Sequence, residues 1–217
     1  MKAIIFDMDG VMVNSSGIYV DAIREALRKR GYDIGTPFVA ERIVAHIGSW
    51  VDAVLPENAN ERSKVLNEII EEVKESTAKA SEGIVYQEGM EKVLEILYKS
   101  NVLFLITNSG SKLTEKILEK RHLKRFFKEI VTSDDGFGSK EKSMEHIIEK
   151  NGLRKNEVTY VGDTEKDILC ARQVGCKVII LYTPSSWNYG KYESIKKAGP
   201  DAIVDNLEDL LKVLQEA

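Results

Sequence analysis

The chain of 217 residues contains two cysteines, three histidines and no apolar run long enough to span a bilayer. Cys170 and Cys176 form no C-x-x-C pair and have no histidine cluster beside them. Zinc, a redox dithiol and a disulfide framework are therefore not indicated, and the two read as small buried apolar residues. His46, His122 and His146 are scattered, so spacing alone builds no triad or metal site from them. An excess of positive charge is missing too. A net charge of -4 gives no general attraction to nucleic acid or to an anionic membrane. Any phosphate this chain binds must be drawn in by local groups. The opening MKAIIFDMDG turns acidic too soon for a signal peptide, so a cytoplasmic protein is expected, with no nucleic-acid or membrane partner. Repeats and low-complexity tracts are also lacking.

What is present suits a packed core: 43% of residues are hydrophobic and 30% are charged, with both signs mixed. Five short apolar runs read as buried strands: 3–6, 102–106, 129–132, 158–161 and 178–181, with 202–204 as a sixth. Helical spacing relates Met90, Val93, Leu94 and Leu97, then Leu113, Ile117 and Leu118, then Met144, Ile147 and Ile148. It recurs at Ile168, Leu169 and Arg172, and at Leu207, Leu210, Leu211 and Leu214. Strand–helix alternation from residue 100 onward predicts right-handed βαβ units and a parallel sheet. Residues 15–83 break the rhythm. They hold no convincing strand but at least two amphipathic helices, marked by Tyr19, Ala22, Ile23, Ala26 and Leu27 and by Leu66, Ile69, Ile70 and Val73. The expected architecture is an α/β, Rossmann-like parallel-sheet core of residues 1–14 and 84–217 with an inserted α-helical cap domain at 15–83.

In an open parallel sheet, ligands bind at the carboxyl ends of the strands. The first strand ends at Asp7 and Asp9, the second at Thr107, Asn108 and Ser109, and the fourth at Asp163, with Asp167 four residues on. Lys140 and Lys142 open the helix before the fourth strand. Crowded carboxylates repel one another, and a hard divalent cation such as Mg²⁺ would offset that repulsion. Shortly after the first strand the chain reads Val13-Asn14-Ser15, in which Asn14 is able to cap a helix. Residues 134–138 read as a turn, and 185–189 as a surface loop, with a place on the rim of the site as the alternative.

DMDGV near the start, a strand ending ITNS, a lysine, and VGDTEKD occur in that order along essentially the whole chain. The set resembles the haloacid dehalogenase-like hydrolase superfamily, and the insertion falls where that family's helical C1 cap falls. The resemblance implies a phosphatase that acts through an aspartyl-phosphate, similar to phosphoglycolate and sugar-phosphate phosphatases. Asp7 would be the nucleophile and Asp9 the general acid and base. Thr107, Asn108 and Ser109 would hold the phosphoryl oxygens. A lysine, Lys140 by its place at the helix start and Lys142 as the alternative, would offset transition-state charge. The set assigned to Mg²⁺ is Asp7, Asp9, Asp163 and Asp167. Gly48, Ser49 and Trp50, in the cap, would help select a small phosphorylated metabolite. A sugar phosphomutase of the β-phosphoglucomutase kind uses the same core residues and stays open. A non-catalytic regulatory protein on this fold fits less well, because Asp9 would discharge a signalling phosphate.

Overall fold

The computed structural model describes residues 2–42 and 59–216. Contacts divide the chain into two units, 1–14 with 85–217, and 15–84. The first unit is built on a six-stranded, wholly parallel sheet. Its strands are β1 (Ala3–Phe6), β4 (Val102–Ile106), β5 (Phe127–Val131), β6 (Val158–Gly162), β7 (Lys177–Leu181) and β8 (Ala202–Val204), in the spatial order β5-β4-β1-β6-β7-β8. β1 is central, with Ile5 registered against Phe104 on one side and Tyr160 on the other. The chain runs outward from β1 through β4 to β5, then returns to β6 on the opposite side. That reversal makes the carboxyl end of β1 the switch point where α/β sheets bind ligands.

Helices cover both faces of the sheet, which explains why the central strands read as continuous apolar runs. On one face Ile5, Phe104, Tyr160 and Val178 pack with Met144, Ile147 and Ile148 of α6 (Lys140–Lys150) and with Ile168, Ala171 and Val174 of α7 (Glu165–Val174). The alternate residues Ile4, Phe6, Leu105 and Ile179 are equally buried. They face the other layer, where α4 (Met90–Tyr98) buries Met90, Val93, Leu94 and Leu97, and α9 (Leu207–Glu216) buries Leu210 and Leu214. α5 (Ser111–Lys120) and α8 (Tyr192–Ala198) complete this unit.

Three readings of the sequence need correction. β5 begins at Phe127 rather than at 129; its Lys128 and Glu129 are polar because it is an edge strand, covered only in part. Leu169 is 59% exposed, so the buried stripe of α7 runs through Ile168, Ala171 and Val174 instead. Asn14 does not stand at the cap position of a helix. It lies in β2 (Val13–Asn14), which pairs antiparallel with β3 (Val85–Tyr86), and Ser15 is the residue before the helix.

The 15–84 unit is helical wherever it forms regular structure among the described residues. α1 (Ser16–Arg28) buries Val20, Ala22, Ile23, Ala26 and Leu27, and α2 (Thr36–Arg42) buries Val39. α3 (Ala59–Lys79) contributes Ile69 and Val73, both buried, to the same small core. Arg30 ties α1 to α3: it donates to Ala26 O at 2.8 Å and to Glu72 Oε1 at 2.7 Å. No helix among the described residues is long and apolar enough to cross a membrane.

Candidate active site

The β1–β6 ladder extends one residue past β1, where the Asp7 N–H donates to Val161 O at 2.8 Å. This fixes Asp7 at the switch point. Its Oδ1 accepts the Met8 N–H at 2.8 Å, and its Oδ2 accepts from Lys140 Nζ. Lys140 is the first residue of α6. The Ser139 hydroxyl caps that helix by accepting the Lys142 N–H, leaving the Lys140 side chain directed inward. Its Nζ also donates to Asp167 Oδ1 at 2.6 Å. Lys142, the alternative lysine, is exposed.

Asp163 and Asp167 come from the tight turn between β6 and α7. Asp163 is buried, and its Oδ2 accepts the Trp187 N–H at 2.6 Å. Asp167 is committed twice over. Its Oδ2 completes a capping box with Thr164, accepting the Thr164 hydroxyl at 2.7 Å and the Thr164 and Asp163 N–H groups at 3.0 and 3.2 Å. Its Oδ1 faces Lys140. One carboxylate oxygen from each of Asp7, Asp163 and Asp167 lies within 4.8 Å of the others.

Three buried acids against one lysine leave negative charge uncompensated, and the acids respond unequally. Burial pushes the Asp7 carboxyl up to about 7, opposed by Lys140 and reinforced by Asp167 and Asp9. Burial, with Asp167 and Asp7 beside it, pushes Asp163 well above the carboxylate range. Asp167 is also penalised by burial, but Lys140 and the Thr164 bonds outweigh the penalty and hold it low. Burial alone would discharge Lys140, yet Asp167 and Asp7 hold it firmly protonated. An all-oxygen donor set with unneutralised charge fits a hard divalent cation.

Backbone shape keeps the acids close. Gly10 has φ 81°, and a Cβ there would fall 2.0 Å from Asp163 Oδ2. A Cβ on Gly162 would fall 2.5 Å from the Asp167 Cβ. Neither position accepts a side chain without moving a carboxylate.

Asp9 lies on a second arm. Its Oδ2 accepts the Thr107 hydroxyl at 2.9 Å and the Ser109 hydroxyl at 2.7 Å. Thr107 Oγ1 in turn accepts the Ser109 N–H at 3.0 Å. The Asp9 carboxylate is therefore directed at the end of β4, and it is not one of the three acids that converge. Asp9, expected among the Mg²⁺ residues, brings no carboxylate to that cluster. Thr107 and Ser109 are buried, whereas Asn108 is exposed. Gly48, Ser49 and Trp50 lie outside the described residues.

Sequence reasoning missed the contact from Trp187. The 185–189 stretch, read as a surface loop, holds buried Ser186 and Asn188, and the Ser186 hydroxyl donates to Leu181 O at 2.8 Å. A backbone N–H aimed at Asp163 leaves no residue-specific trace. The one available signal is the Ser185-Ser186-Trp187-Asn188 stretch, close after the buried strand β7 at the carboxyl edge of the sheet.

Known proteins resemble this chain along nearly its whole length. The family model for haloacid dehalogenase-like hydrolases matches residues 4–181. A phosphoglycolate phosphatase from Photorhabdus laumondii is 28% identical over 223 residues, covering 99% of this chain and 92% of that protein. One from Vibrio parahaemolyticus is 25% identical over 228 residues, covering 99% and 96%. The solved structure of a haloacid dehalogenase-like family hydrolase from Streptococcus pneumoniae superposes with a TM-score of 0.83 at 19% identity, covering 99% of each chain.

Proposed function

The chain belongs to the haloacid dehalogenase-like hydrolase family, and from that premise we propose that it is a Mg²⁺-dependent phosphatase acting on a small phosphomonoester of the phosphoglycolate or sugar-phosphate type. The observation that carries the reading is the division of labour between the two Asp arms. Asp7 sits among buried acids and a lysine, and Asp9, two residues on, is held apart by two hydroxyls.

In this reading an Asp7 oxygen attacks phosphorus, the ester oxygen departs with a proton from Asp9, and an aspartyl-phosphate forms. Asp9 then takes a proton from the water that hydrolyses it, so one carboxyl serves both half-reactions. Lys140 offsets charge at Asp7 and on the transferring phosphoryl group. Asp7 and Asp163 supply the carboxylates for Mg²⁺. Asp167, the third converging carboxylate, is a further ligand or a partner behind them, and it holds Lys140. The cation contributes neutralisation of phosphoryl oxygen charge. Thr107 and Ser109 orient Asp9 and, with Asn108, line the phosphoryl site. The helical 15–84 unit serves as the cap domain, and its Gly48, Ser49 and Trp50 contribute to substrate choice.

The test is phosphate release from a panel of small phosphomonoesters, with Mg²⁺ or EDTA, for wild type and Asp7→Asn. Turnover that requires both the metal and Asp7 is the expected result. No release from any ester, with folded protein and Mg²⁺ present, would overturn the phosphatase reading. Isomerisation of a sugar phosphate without free phosphate would replace it with a mutase.

A further inference from the structure

The Thr107–Ser109 segment that holds Asp9 is itself held by the turn after β5. The contacts there are more specific than a loop needs. α5 starts at Ser111, and its N-cap residue is Gly110, which offers no side-chain acceptor. Asp134, 23 residues away, supplies one: its Oδ2 accepts both the N–H and the hydroxyl of Ser111 at 2.8 Å. The Ser133 N–H donates to Ser109 O at 3.1 Å, and the Thr107 N–H donates to Val131 O at 2.9 Å. The turn is closed by hydrogen bonds of its own. Thr132 and Asp135 form a reciprocal capping box, and the Thr132 hydroxyl oxygen accepts the Asp134 N–H at 3.3 Å. Asp134 thus anchors Ser111, which is joined through Gly110 to Ser109, and the neighbouring Ser133 N–H holds Ser109 itself, whose hydroxyl bonds the Asp9 carboxylate.

We propose that Asp134 is a positioning residue for Asp9, acting through the clasp between the 132–135 turn and the 107–111 segment. The inference rests on the phosphatase reading above. The clasp governs the aim of the two hydroxyls on Asp9 and leaves Asp7, Asp163 and Asp167 untouched, so its loss has a selective signature. In Asp134→Ala, kcat falls by about tenfold, a fraction of the roughly 10²–10⁴ that a well-positioned acid–base group contributes. KM for the ester and the apparent Mg²⁺ affinity stay within about twofold of wild type. Asp134→Asn keeps an oxygen acceptor for Ser111 and restores most of the rate. Independently of activity, deuterium exchange in the peptide spanning 105–115 quickens by about tenfold in Asp134→Ala and not in Asp134→Asn. Wild-type kcat in Asp134→Ala overturns the inference whatever the exchange shows. A loss that Asp134→Asn fails to restore also overturns it, because charge and not position would then matter. If wild type releases no phosphate, the functional reading falls, while unchanged exchange in Asp134→Ala would separately remove the clasp.

Discussion

Lys140 and Lys142 have the same side chain two positions apart, yet they occupy opposite environments. Lys140 is buried and bonded to Asp7 and Asp167; Lys142 is exposed. Removing one partner of a buried ion pair strands the other in a low-dielectric interior. Lys140→Ala is therefore expected to destabilise the protein by about 3 kcal/mol in cation-free urea denaturation at neutral pH. Lys142→Ala should stay within about 0.5 kcal/mol of wild type. Equal effects would contradict the assignment of the buried lysine. The site is legible at this scale where residue type carries the information. Acids at strand ends, hydroxyls after β4 and a lysine opening a helix all stand out in a string of letters. The direction in which Asp9 points does not, because either arm could accept a carboxylate. The Trp187 N–H and the reach of Asp134 to Ser111 stay hidden for a related reason: one is backbone, and the other joins residues far apart in sequence.

Elements are readable where their residues are apolar, as the central strands and the short edge strand β8 both are. β1, β4, β6 and β7 lie within the sheet and appear as apolar runs, while the edge strand β5 reads two residues late because its outward residues are polar. β2 and β3, of two residues each, are too short to leave a period in the sequence. Turn geometry is a further element-scale property that composition hides, and two glycines expose it. Gly162 closes the β6–α7 turn with no space for a methyl group beside Asp167; Gly17 lies in α1 with nothing within 4 Å of a Cβ position. The same substitution should therefore have opposite signs. Gly162→Ala is expected to cost about 1–3 kcal/mol by overpacking. Gly17→Ala should gain about 0.4–1 kcal/mol by restricting the unfolded chain. Thermal or urea unfolding of the two variants checks both, and a neutral Gly162→Ala would mean that the turn can open without cost.

At the scale of the molecule, the acid cluster couples stability to pH and to the cation. Asp7, at about 7, and Asp163, well above the ordinary value of 3.8, bind protons more tightly folded than unfolded. Where the native state holds the extra protons, stability falls as pH rises. For Asp7 that window runs from near its unfolded value up to about 7, and each proton so held changes stability by up to about 1.4 kcal/mol per pH unit. Asp167 has the opposite sign: it is held low, so its contribution is present above its unfolded value and is lost only in more acidic solution. Between about pH 5.5 and about pH 7.5 Asp167 is ionised in both states and adds no slope, whereas Asp7 and Asp163 each lower stability as pH rises. The cation-free protein is accordingly expected to melt several degrees lower at the upper pH than at the lower. A divalent cation requires the ionised carboxylates, so its stabilisation is linked to proton release and grows with pH. Scanning calorimetry at both pH values, with EDTA and with millimolar Mg²⁺, should show the larger Mg²⁺-induced rise in Tm at the upper pH. Equal rises at the two pH values would mean that the buried acids are already ionised without the metal, and the cluster would then carry no electrostatic demand for it.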